Sequence, residues 1–262
     1  MTEFNKYAPG TFCWVDLGTT DAEAAKSFYK GLFGWEFVDM PAGPGMTYSM
    51  AYLDGKDVAA LYGMGPNEQG MPPHWNSYIS VDNADEAAAK ARELGGSVLG
   101  EVMEVMEAGR MAMVQDPTGA IVALWQPKEH IGAKLANVPG AFCWNELATR
   151  DAKIAGDFYT NLLGWNSEVG QFGPTEYTTF SVGERPNAGM MQMTADWPAD
   201  VPPHWLVYFA VADCDAGTEQ AKSLGATIIM PPTDAGDVGR FSVIQDPQGG
   251  VFSIIHMGAM SD

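Results

Sequence analysis

A chain of 262 residues, 46% hydrophobic and 18% charged, has the composition of a folded globular protein and is long enough for two domains. Its 33 acidic against 14 basic residues give a net charge of −19, which repels phosphate backbones and anionic lipid surfaces and argues against nucleic-acid and membrane partners. No apolar run approaches the ~18 residues of a membrane helix, no basic-then-apolar leader opens the chain, and three cysteines make no disulfide framework, so a cytoplasmic location is expected.

The first element is a strand from Phe12 to Leu17, with Cys13, Val15 and Leu17 on one face and Trp14 and Asp16 on the other. Thr20-Asp21-Ala22-Glu23 has the spacing of a capping box, and a helix runs from it through Ala25, Phe28 and Leu32 to a stop at Gly34. Strand-like runs follow at Trp35–Val38, Thr47–Leu53 and Val58–Tyr62, separated by Pro- and Gly-rich turns. The order then restarts: a strand from His74 to Val81, a helix from Ala84 to Leu94, and strands near Val98–Val105, Arg110–Gln115 and Ile121–Gln126. Asp116-Pro117-Thr118-Gly119 forms the turn before the last strand.

The whole order recurs 130 residues later. Pro9-Gly10 returns as Pro139-Gly140, Phe12-Cys13-Trp14 as Phe142-Cys143-Trp144, and Gly34-Trp35 as Gly164-Trp165. Pro72-Pro73-His74-Trp75 returns as Pro202-Pro203-His204-Trp205, Gly109-Arg110 as Gly239-Arg240, and Gln115-Asp116-Pro117 as Gln245-Asp246-Pro247. Two copies of a unit this long make a tandem domain pair and not a solenoid. The expected architecture is α+β: four β-α-β-β-β modules paired into two cupped eight-stranded mixed sheets, with domains at 1–130 and 131–262 and a linker over Pro127–Val138.

Asp21, Phe28-Tyr29, Gly34-Trp35 and Asp116-Pro117-Thr118-Gly119, with their counterparts Asp151, Phe158-Tyr159, Gly164-Trp165 and Asp246-Pro247-Gln248-Gly249, resemble the vicinal oxygen chelate superfamily. That superfamily comprises the glyoxalases, bleomycin-resistance proteins and extradiol dioxygenases, and the chain is similar to tandem glyoxalase-like proteins of actinobacteria. The resemblance implies a divalent ion held by His, Gln or Glu on the first and last strands of each module. Carried over residue by residue, those positions hold Trp14, Asn76, Ala123 and a residue near Ala59 in the first half. In the second half they hold Trp144, Leu206, Ser253 and a residue near Gly189. Trp, Leu, Ala and Gly do not ligate metals, so no metal and no cofactor is expected.

What remains on the expected cup face is an aromatic residue beside an acid: Trp14 with Asp16, and Trp144 with Glu146. A tryptophan on a concave sheet offers a stacking surface for a planar ligand, and equally serves to fill a core. Asp16 and Glu146 are the candidate catalytic bases, and Arg110 and Arg240 their expected bidentate partners. Trp14, His74, Asn76, Arg110, Trp144, His204 and Arg240 are the candidate ligand-binding residues. His74 and His204 either supply a displaced metal site or anchor the entry to their strands. His130, in the linker, is expected to be solvated, and the methionines at 103, 106, 111, 113, 190, 191 and 193 are expected in the core.

Three functions are compatible with these residues. One is metal-independent binding of a small apolar or aromatic molecule in the cups, by a monomer or homodimer. The second is an enzyme on the same scaffold, a lyase, isomerase or hydroxylase-like activity with Asp16 or Glu146 as base. The third is an interaction or antigen-like role with vestigial cups.

Overall fold

The computed structural model describes residues 3–43, 45–68, 70–172 and 175–258. Strand β1 (Phe12–Thr19) leads to helix α1 (Ala22–Phe33), where the Asp21 carboxylate caps the helix by accepting the Ala24 N–H at 3.0 Å. Gly34 ends it in the left-handed region at φ 74°. Strands β2 (Glu36–Gly43), β3 (Met46–Leu53) and β4 (Lys56–Gly63) complete the first module. The second consists of β5 (His74–Ser80), α2 (Ala84–Glu93), β6 (Ser97–Val98), β7 (Met103–Val105), β8 (Gly109–Gln115) and β9 (Ile121–Pro127). The later half repeats this as β10 (Phe142–Thr149), α3 (Ala152–Leu163), β11 (Asn166–Phe172), β12 (Thr175–Val182) and β13 (Arg185–Gln192), then β14 (His204–Ala210), α4 (Cys214–Ser223), β15 (Thr227–Asp234), β16 (Gly239–Gln245) and β17 (Val251–Met257).

The modules pair as expected. In each half the first strands of the two modules, β1 with β5 and β10 with β14, run antiparallel at the centre of the sheet. The second sheet has eight strands in the order β11-β12-β13-β10-β14-β17-β16-β15. The first has nine, because the run expected over Val98–Val105 is broken into β6 and β7 around Gly100, whose φ of 83° no extended strand accommodates.

The two sheets meet through their convex faces, with the helices packed between them. Phe33 of α1 lies 5.0 Å from Phe209 of the other sheet, and Trp75 lies 5.1 Å from the same ring. One hydrophobic core runs through both halves. The contacts across it are reciprocal. Buried Tyr29 donates its hydroxyl to Asp246 at 2.8 Å while accepting from the Trp75 indole at 3.2 Å. Buried Tyr159 likewise accepts from the Trp205 indole at 2.9 Å, but Asp116 Oδ2 has no hydrogen-bond partner among the described residues. The Trp35 indole donates to the Gly140 carbonyl and the Trp165 indole to the Gly10 carbonyl, each at 2.7 Å. With the convex faces joined, the concave faces point outward on opposite sides.

Removing the Tyr29 hydroxyl leaves a buried carboxylate oxygen and the Trp75 N–H short of a partner. Y29F is therefore expected to lower the free energy of unfolding in urea by about 1–3 kcal/mol, and Y159F by less, because Asp116 Oδ2 already lacks a partner. Loss of less than about 0.5 kcal/mol in Y29F would show that this bond does not hold the halves together.

Candidate functional site

The concave face of the first sheet carries Trp14 and Asp16 on β1, with Asn76 and Tyr78 opposite them on β5 and Tyr48 on β3. Asp16 is only 1% exposed, yet it is fully bonded. Its Oδ2 accepts the hydroxyls of Tyr48 at 2.8 Å and Tyr78 at 2.7 Å, and its Oδ1 accepts the Asn76 amide at 3.0 Å. Burial raises its carboxyl above the usual range, and the three donors offset part of that rise. The Trp14 indole donates to the Tyr48 hydroxyl at 2.9 Å, and Trp14 is 2% exposed.

The first cup is also covered. The linker after β9 runs across it, bonding the His130 N–H to Ala108, the Ala133 N–H to Cys13 and the Lys134 N–H to Asp57. Trp125 of β9 donates its indole to the His130 carbonyl at 2.9 Å. The His130 ring stands edge-on to Trp14 with centroids 4.5 Å apart, so it is half-buried and not solvated as the sequence suggested; burial lowers its pKa to about 4. Gly132 is needed there, because a Cβ would come within 2.3 Å of the Cys13 carbonyl oxygen.

The second cup keeps the plan and differs in detail. Trp144 and Glu146 on β10 face Tyr208 and Leu206 on β14, and both are half-buried where Trp14 and Asp16 are closed off. Tyr208 donates to Glu146 Oε1 at 3.0 Å, and Tyr177 of β12 hydrogen-bonds the same carboxylate. The Trp144 indole donates to the Tyr177 hydroxyl at 3.1 Å. Leu206 stands where Asn76 stands in the first half, so a carboxylate partner is replaced by an apolar wall. Burial raises the Glu146 carboxyl, and no basic side chain is among the groups that act on it. Trp144, Leu206 and Phe241 pack with Cys143, Tyr208, Ala210 and Ile255 into an apolar cluster separate from the main core. Gly189, opposite Glu146, leaves the space that the Tyr177 hydroxyl occupies; a Cβ would lie 1.7 Å from it.

Arg110 and Arg240 do not reach Asp16 or Glu146. Arg110 pairs with Asp85 and Glu104, and Arg240 with Asp215 and Asp234, because acids on the nearby helix N-termini and edge strands lie closer. His74 and His204 donate Nδ1–H to the carbonyls of Pro72 (3.0 Å) and Pro202 (2.9 Å), the strand-anchoring alternative. Met103 and Met106 are exposed and Met111, Met113 and Met191 half-buried; only Met190 and Met193 lie in the core. The carried-over metal positions hold Trp14, Asn76, Ala123 and, opposite Asp16, Ala60; the second half has Trp144, Leu206, Ser253 and Gly189. These residues do not suit a divalent ion, and among the described residues no three His, Cys, Asp or Glu groups gather to hold one. Two surface hollows, about 380 Å³ beside α4 and β15 and about 280 Å³ where Phe33 meets Val211, lie outside both cups.

Sequence reasoning missed the tyrosines. Tyr78 and Tyr208 obey the 130-residue offset, but Tyr48 and Tyr177 are 129 apart, because the β11–β12 hairpin is one residue shorter than its counterpart. The opposite slip before β5 and β14 restores 130, so a fixed offset aligned both ends and skipped the middle.

Comparison with known proteins matches this architecture. A family model described as Glyoxalase/Bleomycin resistance protein/Dioxygenase superfamily matches twice, over residues 11–124 and 141–254. CFP32 of Mycobacterium bovis, which carries a glyoxylase designation, is 43% identical over 258 residues, covering 97% of this chain and 98% of its own. The anthracycline biosynthesis protein DnrV of Streptomyces peucetius is 37% identical over 268 residues, covering 96% and 95%. Among solved structures, the Mn(II)-bound glyoxalase from Novosphingobium aromaticivorans superposes with a TM-score of 0.66 at 18% identity, covering 98% of this chain and 83% of that one. The 2,3-dioxygenase LapB from Pseudomonas sp. KL28 gives 0.65 at 13%, covering 96% and 94%. At such identities these two speak for the fold alone. No described helix is long and apolar enough to cross a membrane. With both repeats matched and the relatives aligned nearly end to end, the chain belongs to the Glyoxalase/Bleomycin resistance protein/Dioxygenase superfamily.

Proposed function

We propose that this protein binds a small planar, mostly apolar molecule in its second cup without a resident metal. The observation that carries the reading is the half-exposed cluster of Trp144, Leu206 and Phe241 around the Glu146 carboxylate, an apolar wall with one fixed polar group. The first cup supports a packing role instead, since Asp16 is saturated by three donors and Trp14 is covered by His130. A second reading, proton transfer, rests on the raised carboxyl of Glu146, which suits removal of a proton from carbon next to a carbonyl.

With 1-methylnaphthalene as a neutral planar probe, saturable quenching of tryptophan fluorescence is expected. W144A should weaken it about tenfold or more, since stacking area is the main attraction. Equal affinity in W144A and the parent would sink the stacking site. Protein purified without added metal should carry only substoichiometric Mn, Fe, Ni and Zn by elemental analysis; one equivalent of any of them would overturn metal independence.

The packing role of the first cup has its own consequence. As pH rises above the unfolded-state value of about 3.9, the unfolded chain releases the Asp16 proton while the native chain retains it, so this residue's contribution to stability falls until the native carboxyl titrates. D16N should therefore melt higher than the parent at pH 8, with the advantage shrinking toward pH 4. A D16N variant less stable at both pH values would show that the ionised carboxylate is needed to hold Tyr48 and Tyr78.

A further inference from the structure

Resting on the second cup as the ligand site, we infer that it selects a planar organic cation, one per chain, with Glu146 as the counter-charge. Four observations carry this. First, the hydrogen-bond donors around the carboxylate are directed at one another and at it. The Trp144 indole donates to Tyr177, and the hydroxyls of Tyr177 and Tyr208 bond Glu146. A ligand at this position meets aromatic side chains and a carboxylate. Second, no Lys, Arg or His acts on Glu146, and the two arginines once expected there are held by their own acid pairs. The charge is compensated only by neutral donors, which leaves a half-buried anion that a cation stabilises and an anion opposes. Third, the substitution of Leu206 for Asn76 takes away a donor that the first cup uses to saturate Asp16, while Glu146 is partly exposed where Asp16 is closed. Fourth, aromatic rings attract cations to their faces, and a net charge of −19 draws cations toward the whole molecule. In the first cup both Trp14 and Asp16 are closed to solvent, which sets the stoichiometry at one.

The test compares three bicyclic probes of one size at pH 8 by isothermal titration calorimetry: N-methylquinolinium (cation), 1-methylnaphthalene (neutral) and 1-naphthoate (anion). The cation is expected to bind about tenfold or more tightly than the neutral probe, with the anion weakest and one site per chain. E146Q should bring the cation to within about twofold of the affinity that the neutral probe has for the same variant. If E146Q fails to fold by circular dichroism, E146D, which withdraws the carboxylate by one methylene, should weaken the cation more than the neutral probe. Equal affinity for cation and neutral probe in the parent overturns the charge selection and leaves the ligand site standing. Tighter binding of the anion also overturns it, and two sites per chain overturn the single-cup assignment. No saturable binding by any probe overturns both this inference and the site it rests on.

Discussion

The buried hydroxyl-to-carboxylate bond between Tyr29 and Asp246 is the constraint on which the rest of this molecule depends. It joins the helix α1 of the first half to the last-strand turn of the second, and it is surrounded by rings from both sheets. A carboxylate is tolerated at such depth because the turn supplies its other partners: Asp246 Oδ1 accepts the N–H groups of Gln248, Gly249 and Gly250 at 2.8–2.9 Å. The turn closes on the carboxylate, the carboxylate holds the tyrosine, and the tyrosine fixes the helix between the sheets. The orientation of both cups follows from that chain of contacts.

The motifs that made the duplication legible are largely the residues of this contact. Pro-Gly, Gly-Trp, Phe-Tyr and Asp-Pro-x-Gly all lie where the halves touch, and Pro73 and Pro203 approach Gly249 and Gly119 of the opposite turns. They reported the fold faithfully because the packing of the two units on each other leaves little room to vary them. Alternation in β1 was enough to place Trp14 and Asp16 on one face, and the Thr20–Glu23 spacing and Gly34 stop bounded α1 closely, although Asp21 and not Thr20 is its cap. What lay beyond the sequence was partner choice. Arg110 and Arg240 each had several acids within reach along the chain, and only the sheet edge shows that Asp85 and Asp215 are nearer. Tyr48 and Tyr177 were hidden by two compensating one-residue slips. The His130 ring was hidden because a linker has no periodicity from which to read its burial.

The two cups show how a single chemical plan diverges under small changes. Both place a carboxylate under two tyrosine hydroxyls and beside a tryptophan whose indole bonds one of those tyrosines. In one, an asparagine supplies a further donor and an aromatic imidazole covers the ring, and the group becomes part of the packing. In the other, a leucine stands at the asparagine's place and the acid is longer by one methylene. The family's metal positions are apolar or singly polar in both, so what distinguishes the cups is which polar groups are already spent inside the protein.

The linker that lies across the first cup has a consequence of another kind. Two copies related by rotation have equivalent surfaces for as long as they are separate molecules. A covalent connection runs in one direction, from the end of one copy to the start of the next, and so it can cross only one of two related surfaces. Symmetry is thus broken by connectivity before any side chain differs. Substitutions in the covered cup are then judged by how they pack beneath the linker, and those in the other by what they present to solvent, so fusion of the two units by itself sets them on separate courses.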